Sequence, residues 1–182
     1  MPKYKYQVGV VCLTYNQVGY IGQCLDSLLT QKTNFSYKII VHDDASTDGT
    51  TDVVREYATR YPNLIVPVLQ VQNIYSRGIS FTKFTDPLIS DCKYTAFCEG
   101  DDWWLSEKKL QMQFEYMEAH PDCSLCVHNV IQYDDRTGRN VGIVPGCHES
   151  KNYLTDEIIS KGGGFFGTNS IFYRVKDKQR PE

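Results

Sequence analysis

Three times along this chain an apolar run of strand length ends in a polar segment, and a helical pattern follows. The first run, Val8-Gly9-Val10-Val11-Cys12-Leu13, gives way to Thr14-Tyr15-Asn16-Gln17, after which Ile21, Leu25, Leu28 and Leu29 share one helical face. The second, Tyr37 to His42, is centred on Ile39-Ile40-Val41 and runs into Asp43-Asp44-Ala45-Ser46-Thr47-Asp48-Gly49-Thr50. A continuous apolar centre suits a strand buried on both faces. Val53, Val54, Tyr57, Ala58 and Tyr61 then mark an amphipathic helix that stops before Pro62. The third run, Tyr94-Thr95-Ala96-Phe97-Cys98, meets Glu99-Gly100-Asp101-Asp102 and then Trp103-Trp104. Strand–loop–helix units of this kind build a mostly parallel sheet flanked by helices, a three-layer α/β/α fold. Such sheets bind ligands at the carboxyl ends of their strands, where all three polar segments emerge.

The acids narrow what that edge does. Two like charges about 4 Å apart at an effective dielectric of about 20 repel by roughly 4 kcal/mol. Glu99, Asp101 and Asp102 either splay into water as a solvated loop or share a cation. A hard divalent ion held by one or two carboxylates, with its other positions left to phosphate oxygens, is the usual reason to crowd acids. Two tryptophans directly after them call for a packed or ligand-covered setting. In the second loop Ser46, Thr47 and Asp48 are also ordinary caps for the helix that follows, which leaves the pair Asp43-Asp44 to explain. Tyr15 is either a platform for a nucleobase or a rim residue packed on the first helix.

The remainder reads as one domain over residues 1–182, without tandem repeat, charge block or low-complexity linker. Ser106 is a cap for a helix through Gln113, Met117 and His120 that Pro121 ends. Asp134-Asp135-Arg136-Thr137-Gly138 turns a hairpin between Val130–Tyr133 and Val141–Val144. Thr155-Asp156-Glu157 opens a short helix that Gly162-Gly163-Gly164 ends. A net charge of −3 provides no basic footprint for nucleic acid. No apolar run approaches a membrane span, and Met1-Pro2-Lys3-Tyr4-Lys5 precedes a strand rather than a secretory signal. The seven cysteines are scattered and odd in number; Cys123 and Cys126 lack a second pair for zinc and would face opposite ways if extended. They read as reduced thiols of a cytoplasmic protein. His42 and His128, near strand ends, are packed side chains or site-lining ones.

The stretches VVCLTYNQVGYIGQCLDSLLTQ, KIIVHDDASTDGTTDVVREYA and YTAFCEGDDWWLSEKKLQMQFEYMEAHPDCSLCVHNV together resemble the family 2 glycosyltransferases of the GT-A fold. The likeness runs from Val8 to about Arg174, and is nearest to bacterial members whose metal motif is EGDD followed by an aromatic residue and Trp. It implies donor binding by Thr14, Tyr15 and Asn16, with Tyr15 packed on the base. It implies a hydrogen bond from the base to Asp44, with Asp43 and Ser46 supporting the loop. The family's Asp-x-Asp motif falls on Glu99-Gly100-Asp101; these acids would hold the ribose and a Mg²⁺ or Mn²⁺ on the donor diphosphate, with Asp101 and Asp102 as metal ligands. Arg77 would approach the donor, and the Gly162–Gly164 loop would face the acceptor.

The activity so implied is inverting transfer of a sugar from a nucleotide sugar, UDP-linked by family frequency, to a saccharide or lipid-linked acceptor. The setting is bacterial surface polysaccharide synthesis, with peripheral association at the inner face of the membrane. Inverting relatives carry their general base downstream of a stretch that Gly167–Arg174 resembles, so the resemblance puts the base beyond Glu182; Asp177 is a poor substitute. The expectation is therefore an N-terminal part of a catalytic domain that binds donor but transfers its sugar poorly or not at all. A non-catalytic nucleotide-sugar-binding module is the alternative. A sugar nucleotidyltransferase would need a glycine-rich basic loop after the first strand, and a receiver domain an acid pair there; Cys12-Leu13-Thr14-Tyr15-Asn16 has neither.

Overall fold

The structure is a computed structural model that describes residues 4–145, 149, 151–161 and 164–175. Its elements in chain order are β1 (Tyr6–Thr14), α1 (Ile21–Leu29), β2 (Tyr37–Asp43), α2 (Thr50–Arg60), β3 (Ile65–Leu69), α3 (Thr82–Ile89) and β4 (Cys92–Glu99). After these come α4 (Lys109–Ala119), β5 (Leu125–Cys126), β6 (Val130–Asp134), β7 (Arg139–Val144), α5 (Thr155–Lys161) and β8 (Phe172–Arg174). The main sheet has the order β3-β2-β1-β4-β8-β5. The first four of these strands are parallel, and β8 is antiparallel to both β4 and β5. This is the mostly parallel, helix-flanked sheet expected of the GT-A fold. The antiparallel edge was not foreseen, because strands of two or three residues carry no readable alternation.

The pleat of the central strands sorts their apolar residues between two cores. Val8, Val10 and Cys12 of β1, Ile39 and Val41 of β2, and Tyr94, Ala96 and Cys98 of β4 share one core with Ile21, Leu25 and Leu28 of α1, Val54 of α2 and Leu110 and Met117 of α4. Val11 and Ile40 point the other way, onto Ile89 of α3 and Cys92. At about 1.5–3 kcal/mol per fully buried aliphatic side chain, this two-sided burial dominates the folding free energy.

Two local expectations change. The fourth helix begins at Lys109, not beside Ser106, whose hydroxyl instead accepts the Lys108 N–H at 3.2 Å in the turn before it. The reason is Gln31, whose amide oxygen takes the Leu110 N–H at 3.1 Å while its amide N–H reaches the Ser106 carbonyl at 2.8 Å. That helix ends at Ala119, with His120 as the cap before Pro121. Cys123 and Cys126 both pack against the same core, since only the second lies on a strand. The hairpin forms as read, β6 with β7, with a bulge between Gln132 and Tyr133. Gly162, Gly163, Asp177 and Glu182 lie outside the described residues, as does the position beyond Glu182 where the general base is expected.

Candidate functional site

From β1 the chain steps outward through β2 to β3, then returns to lay β4 on the other side of β1. The carboxyl ends of β1 and β4 therefore flank the crevice where the strand order reverses, the place at which open α/β sheets bind ligands. Gly100 closes the join between them. Its N–H donates to the Leu13 carbonyl at 2.8 Å, and a Cβ there would stand 2.6 Å from Thr14 Oγ1 and 2.5 Å from Gln17 Oε1. Only glycine lets the acid loop lie this close to the Thr14 turn. Thr14 itself is buried and donates through its hydroxyl to Gln17 at 2.9 Å.

The loop after β2 is knitted inward. Asp43 is wholly buried and accepts hydrogen bonds from the hydroxyls of Ser46 and Thr51. Ser46 in turn accepts the Asn16 N–H at 2.8 Å, and the Asn16 side-chain oxygen takes the Thr47 N–H at 2.8 Å. Asp48 accepts the Thr50 and Val18 N–H groups at 3.0 Å each, so it braces the turn before α2, whose N-cap is Gly49, and ties the first loop to the second. These bonds hold Asn16 and Ala45 at positive φ of 52° and 63°, an uncommon conformation for residues with a Cβ. Asp44 also has partners within the protein: one carboxylate oxygen takes the Ile74 N–H at 2.7 Å and the other the Tyr75 N–H at 3.1 Å. The pair that capping left unexplained is thus accounted for by loop-building bonds, two of them to amides thirty residues downstream.

Between these loops and the 74–81 segment opens a cleft of about 500 Å³. Of the residues singled out from sequence, Thr14, Tyr15, Asp44 and Glu99 line it, together with His42. Tyr15 is 46% exposed, its ring available to a ligand. His42 is buried against Phe81 and Phe84, and the Gln70 amide donates to its Nε2 at 3.2 Å. Burial holds its pKa below the ordinary histidine value, so it is neutral at pH 7. Asn16, Asp43 and Ser46, whose side chains bond within the loops, are not part of the wall, and neither are Asp101 and Asp102. Arg77 is not part of the wall either; its guanidinium donates to Gln72 Oε1 at 2.7 Å in an exposed turn. The sequence reading passed over Gly100, Gln17, Phe81 and the Ile74–Tyr75 amides; the first was visible as the small residue inside an acidic motif.

The acid loop contrasts with its neighbour. The Asp102 carboxyl is pushed up to about 6 by burial and by the charges of Asp101 and Glu99. Glu99 is also raised, first by burial and then by Asp101, with the nearby Thr168 hydroxyl acting in the opposite sense. Thr168 belongs to a 3-10 turn, Thr168–Ser170, that packs along β4. Trp104 follows the acids and is buried, its backbone N–H bonded to Ser27 Oγ at 3.0 Å and its indole N–H to the Asn169 carbonyl at 3.1 Å. Trp103 meets Tyr133 of the hairpin edge-on at 5.8 Å, and Tyr20 donates to Asp135 at its tip at 2.8 Å. Among the described residues no group of three His, Cys, Asp or Glu side chains is arranged to hold a metal ion.

A helix-flanked parallel sheet with a cleft at its reversal point, walled by an aromatic ring and carboxylates, defines a GT-A-type α/β domain. Residues 10–177 match the family described as Glycosyl transferase family 2, and the chain belongs to that family. An uncharacterised protein of Mycobacterium tuberculosis is 37% identical over 169 residues, which is 92% of this chain and 46% of the relative. The poly(ribitol-phosphate) beta-glucosyltransferase of Bacillus spizizenii is 30% identical over 121 residues, 65% of this chain and 18% of the relative. The chain thus spans less than half the length of these relatives. Among solved structures, S. aureus TarS 1-349 in complex with UDP-GlcNAc has a TM-score of 0.68 at 22% identity, over 94% of this chain and 47% of that one. The mannosyltransferase of Pyrobaculum calidifontis in complex with GDP-Man and Mn²⁺ has a TM-score of 0.55 at 21% identity, over 74% of this chain and 38% of that one. No helix among the described residues is long and apolar enough to cross a membrane.

Proposed function

We propose that this domain binds a nucleoside-diphosphate sugar in the cleft and serves the transfer of its sugar to a saccharide or lipid-linked acceptor in bacterial surface polysaccharide synthesis. The observation that carries the reading is the division between the two acidic loops at one sheet edge. Asp43 and Asp44 are occupied with internal hydrogen bonds, whereas Asp102 feels the charges of Asp101 and Glu99 and forms no ion pair among the described residues. Tyr15 would stack on the base. Asp44 would accept from it as a further donor, since a carboxylate has about four acceptor sites and uses two here. Glu99, steadied by Thr168, would face the ribose.

The acid loop fits a divalent ion. The Asp102 carboxyl, raised to about 6 by burial and then by the charges of Asp101 and Glu99, would be relieved by a cation, and Mg²⁺ or Mn²⁺ needs only one or two carboxylates beside phosphate oxygens and water. Asp101 and Asp102 would hold it. When bound, such an ion supplies Lewis-acid stabilisation of charge on a departing diphosphate. The relatives bound to UDP-GlcNAc and to GDP-Man with Mn²⁺ support the donor class, and UDP is the first nucleotide to try. The test is calorimetry of UDP with Mg²⁺, with Mn²⁺ and with chelator. Tighter binding with metal, lost in Asp102→Asn, is expected; equal affinity in all three conditions would overturn the reading.

A further inference from the structure

Lys109 is the first residue of α4, yet it is only 6% exposed and its ammonium has no hydrogen-bond partner. Nor does it pair with a carboxylate among the described residues. Two forces oppose a cation there: desolvation, and the positive end of the helix dipole. What the ammonium does touch is the ring of Trp104, with Nζ 3.7 Å from its centroid. Burial lowers its pKa to about 7, offset in part by the thiols of Cys98 on β4 and Cys126 on β5. His128, which follows β5, feels its charge as well. A residue with a merely space-filling task at this site would be apolar, because a well-packed hydrophobe in place of a buried charge is neutral or stabilising.

The contacts around the lysine lead to both halves of the site. Trp104 comes two residues after Asp102, and its indole N–H is bonded to the Asn169 carbonyl. One turn along α4, Gln113 donates to the Ser170 carbonyl at 2.8 Å. The 3-10 turn that contains both carbonyls also brings Thr168 beside Glu99. Gln113 Oε1 and Asn169 Oδ1 are buried without partners beside these bonds. Trp104 is therefore the piece that joins the acid loop to the 168–170 turn, and Lys109 sits on its face.

We propose that Lys109 is a positioning residue: its buried ammonium clamps the Trp104 ring against the 168–170 turn and so holds Asp101 and Asp102 at the spacing a metal–diphosphate needs. This rests on the donor-binding reading above. The chain has two tryptophans, so Trp103→Phe leaves Trp104 as the sole indole reporter. Its emission is expected to change with pH around a midpoint near 7, and the change to vanish in Trp103→Phe/Lys109→Met. Lys109→Met alone is expected to melt at or above the wild-type temperature. Its Mg²⁺–UDP affinity should fall about fivefold or more, on the scale of a desolvated cation–π contact, with UDP affinity in chelator unchanged. Lys109→Gln, uncharged but polar, provides the same readings if the methionine variant misfolds.

Three results would overturn the proposal: a pH-flat emission in Trp103→Phe, wild-type Mg²⁺–UDP affinity in both Lys109 variants, or equal losses with and without metal alongside a lower melting temperature. If the wild type shows no metal-dependent UDP binding, the donor reading fails by itself. The emission titration then decides separately whether Lys109 rides on Trp104.

Discussion

Two pairs of adjacent aspartates stand at one sheet edge, and the fold treats them in opposite ways. Asp43 and Asp44 receive hydroxyls from Ser46 and Thr51 and amides from Ile74 and Tyr75, so their charge is spent on holding two loops in place. Asp102 and Glu99 stand beside Asp101 in a loop where burial, and then the neighbouring charges, resist their ionisation. Sequence proximity of acids thus says little by itself. What separates a structural pair from a ligand-seeking one is whether the surrounding donors are already supplied by the chain.

The comparison breaks most readily at Asp43. Asp43→Ala removes the charged acceptor of two half-buried hydroxyls, at about 1.5–3 kcal/mol for each such bond, and should lower stability by about 3 kcal/mol or more in chemical denaturation. A loss below about 1 kcal/mol would show that the first pair is not structural. Asp102→Asn should do the reverse. Metal-dependent UDP affinity should fall by about tenfold or more, the scale of one charged contact, while the metal-free protein becomes more stable at pH 7.

The sign of that gain follows from linkage. The folded pKa of Asp102 is raised from 3.8 to about 6, so the folded state binds the proton more tightly, and stability falls as pH rises through this window. The advantage of asparagine is therefore present above pH 6 and absent below about pH 4. Melting of both proteins in chelator at pH 4 and pH 7 measures it. A constant difference across that range would mean that the burial and crowding of the Asp102 carboxyl are not the cause.

Smaller effects sharpen the same contrast. Tyr15→Ala should weaken UDP binding by about 1–3 kcal/mol, the range for a base stacked on an aromatic ring, with little change in melting temperature. Unchanged affinity in calorimetry would make Tyr15 a rim residue. Arg77→Ala should change both affinity and stability by less than about 0.5 kcal/mol, because its side chain serves an exposed turn. A tenfold loss there would mean that the turn swings over the cleft when donor binds.

Much of this arrangement could be read before the structure. The β1, β2 and β4 runs, their parallel sense and the edge at which their loops emerge follow from apolar runs ended by turn and cap residues. Asp43 and Ser46 read as supports of their loop, and their side chains bond each other there. The partners of Asp44 were not legible, because the Ile74 and Tyr75 amides reach it from a separate segment and no side-chain identity marks a backbone donor. Lys109 was illegible for another reason. In Glu107-Lys108-Lys109-Leu110 it reads as an ordinary charged residue opening a helix, and only the Gln31 bridge to Leu110 and the Ser106 carbonyl turns that end inward.

The missing side chain at Gly100 also has a consequence for how such a chain can vary. Because Thr14 and Gln17 fill the space a Cβ would need, the loop that would meet the base and the loop that would meet the diphosphate are in van der Waals register with each other. Neither can be retuned alone. Gly100→Ala should be poorly tolerated by itself and partly rescued by trimming Thr14 to Ser or Gln17 to Ala. A library randomised at positions 14, 17 and 100 should therefore return linked triplets rather than three independent preferences, with total volume as the quantity held fixed.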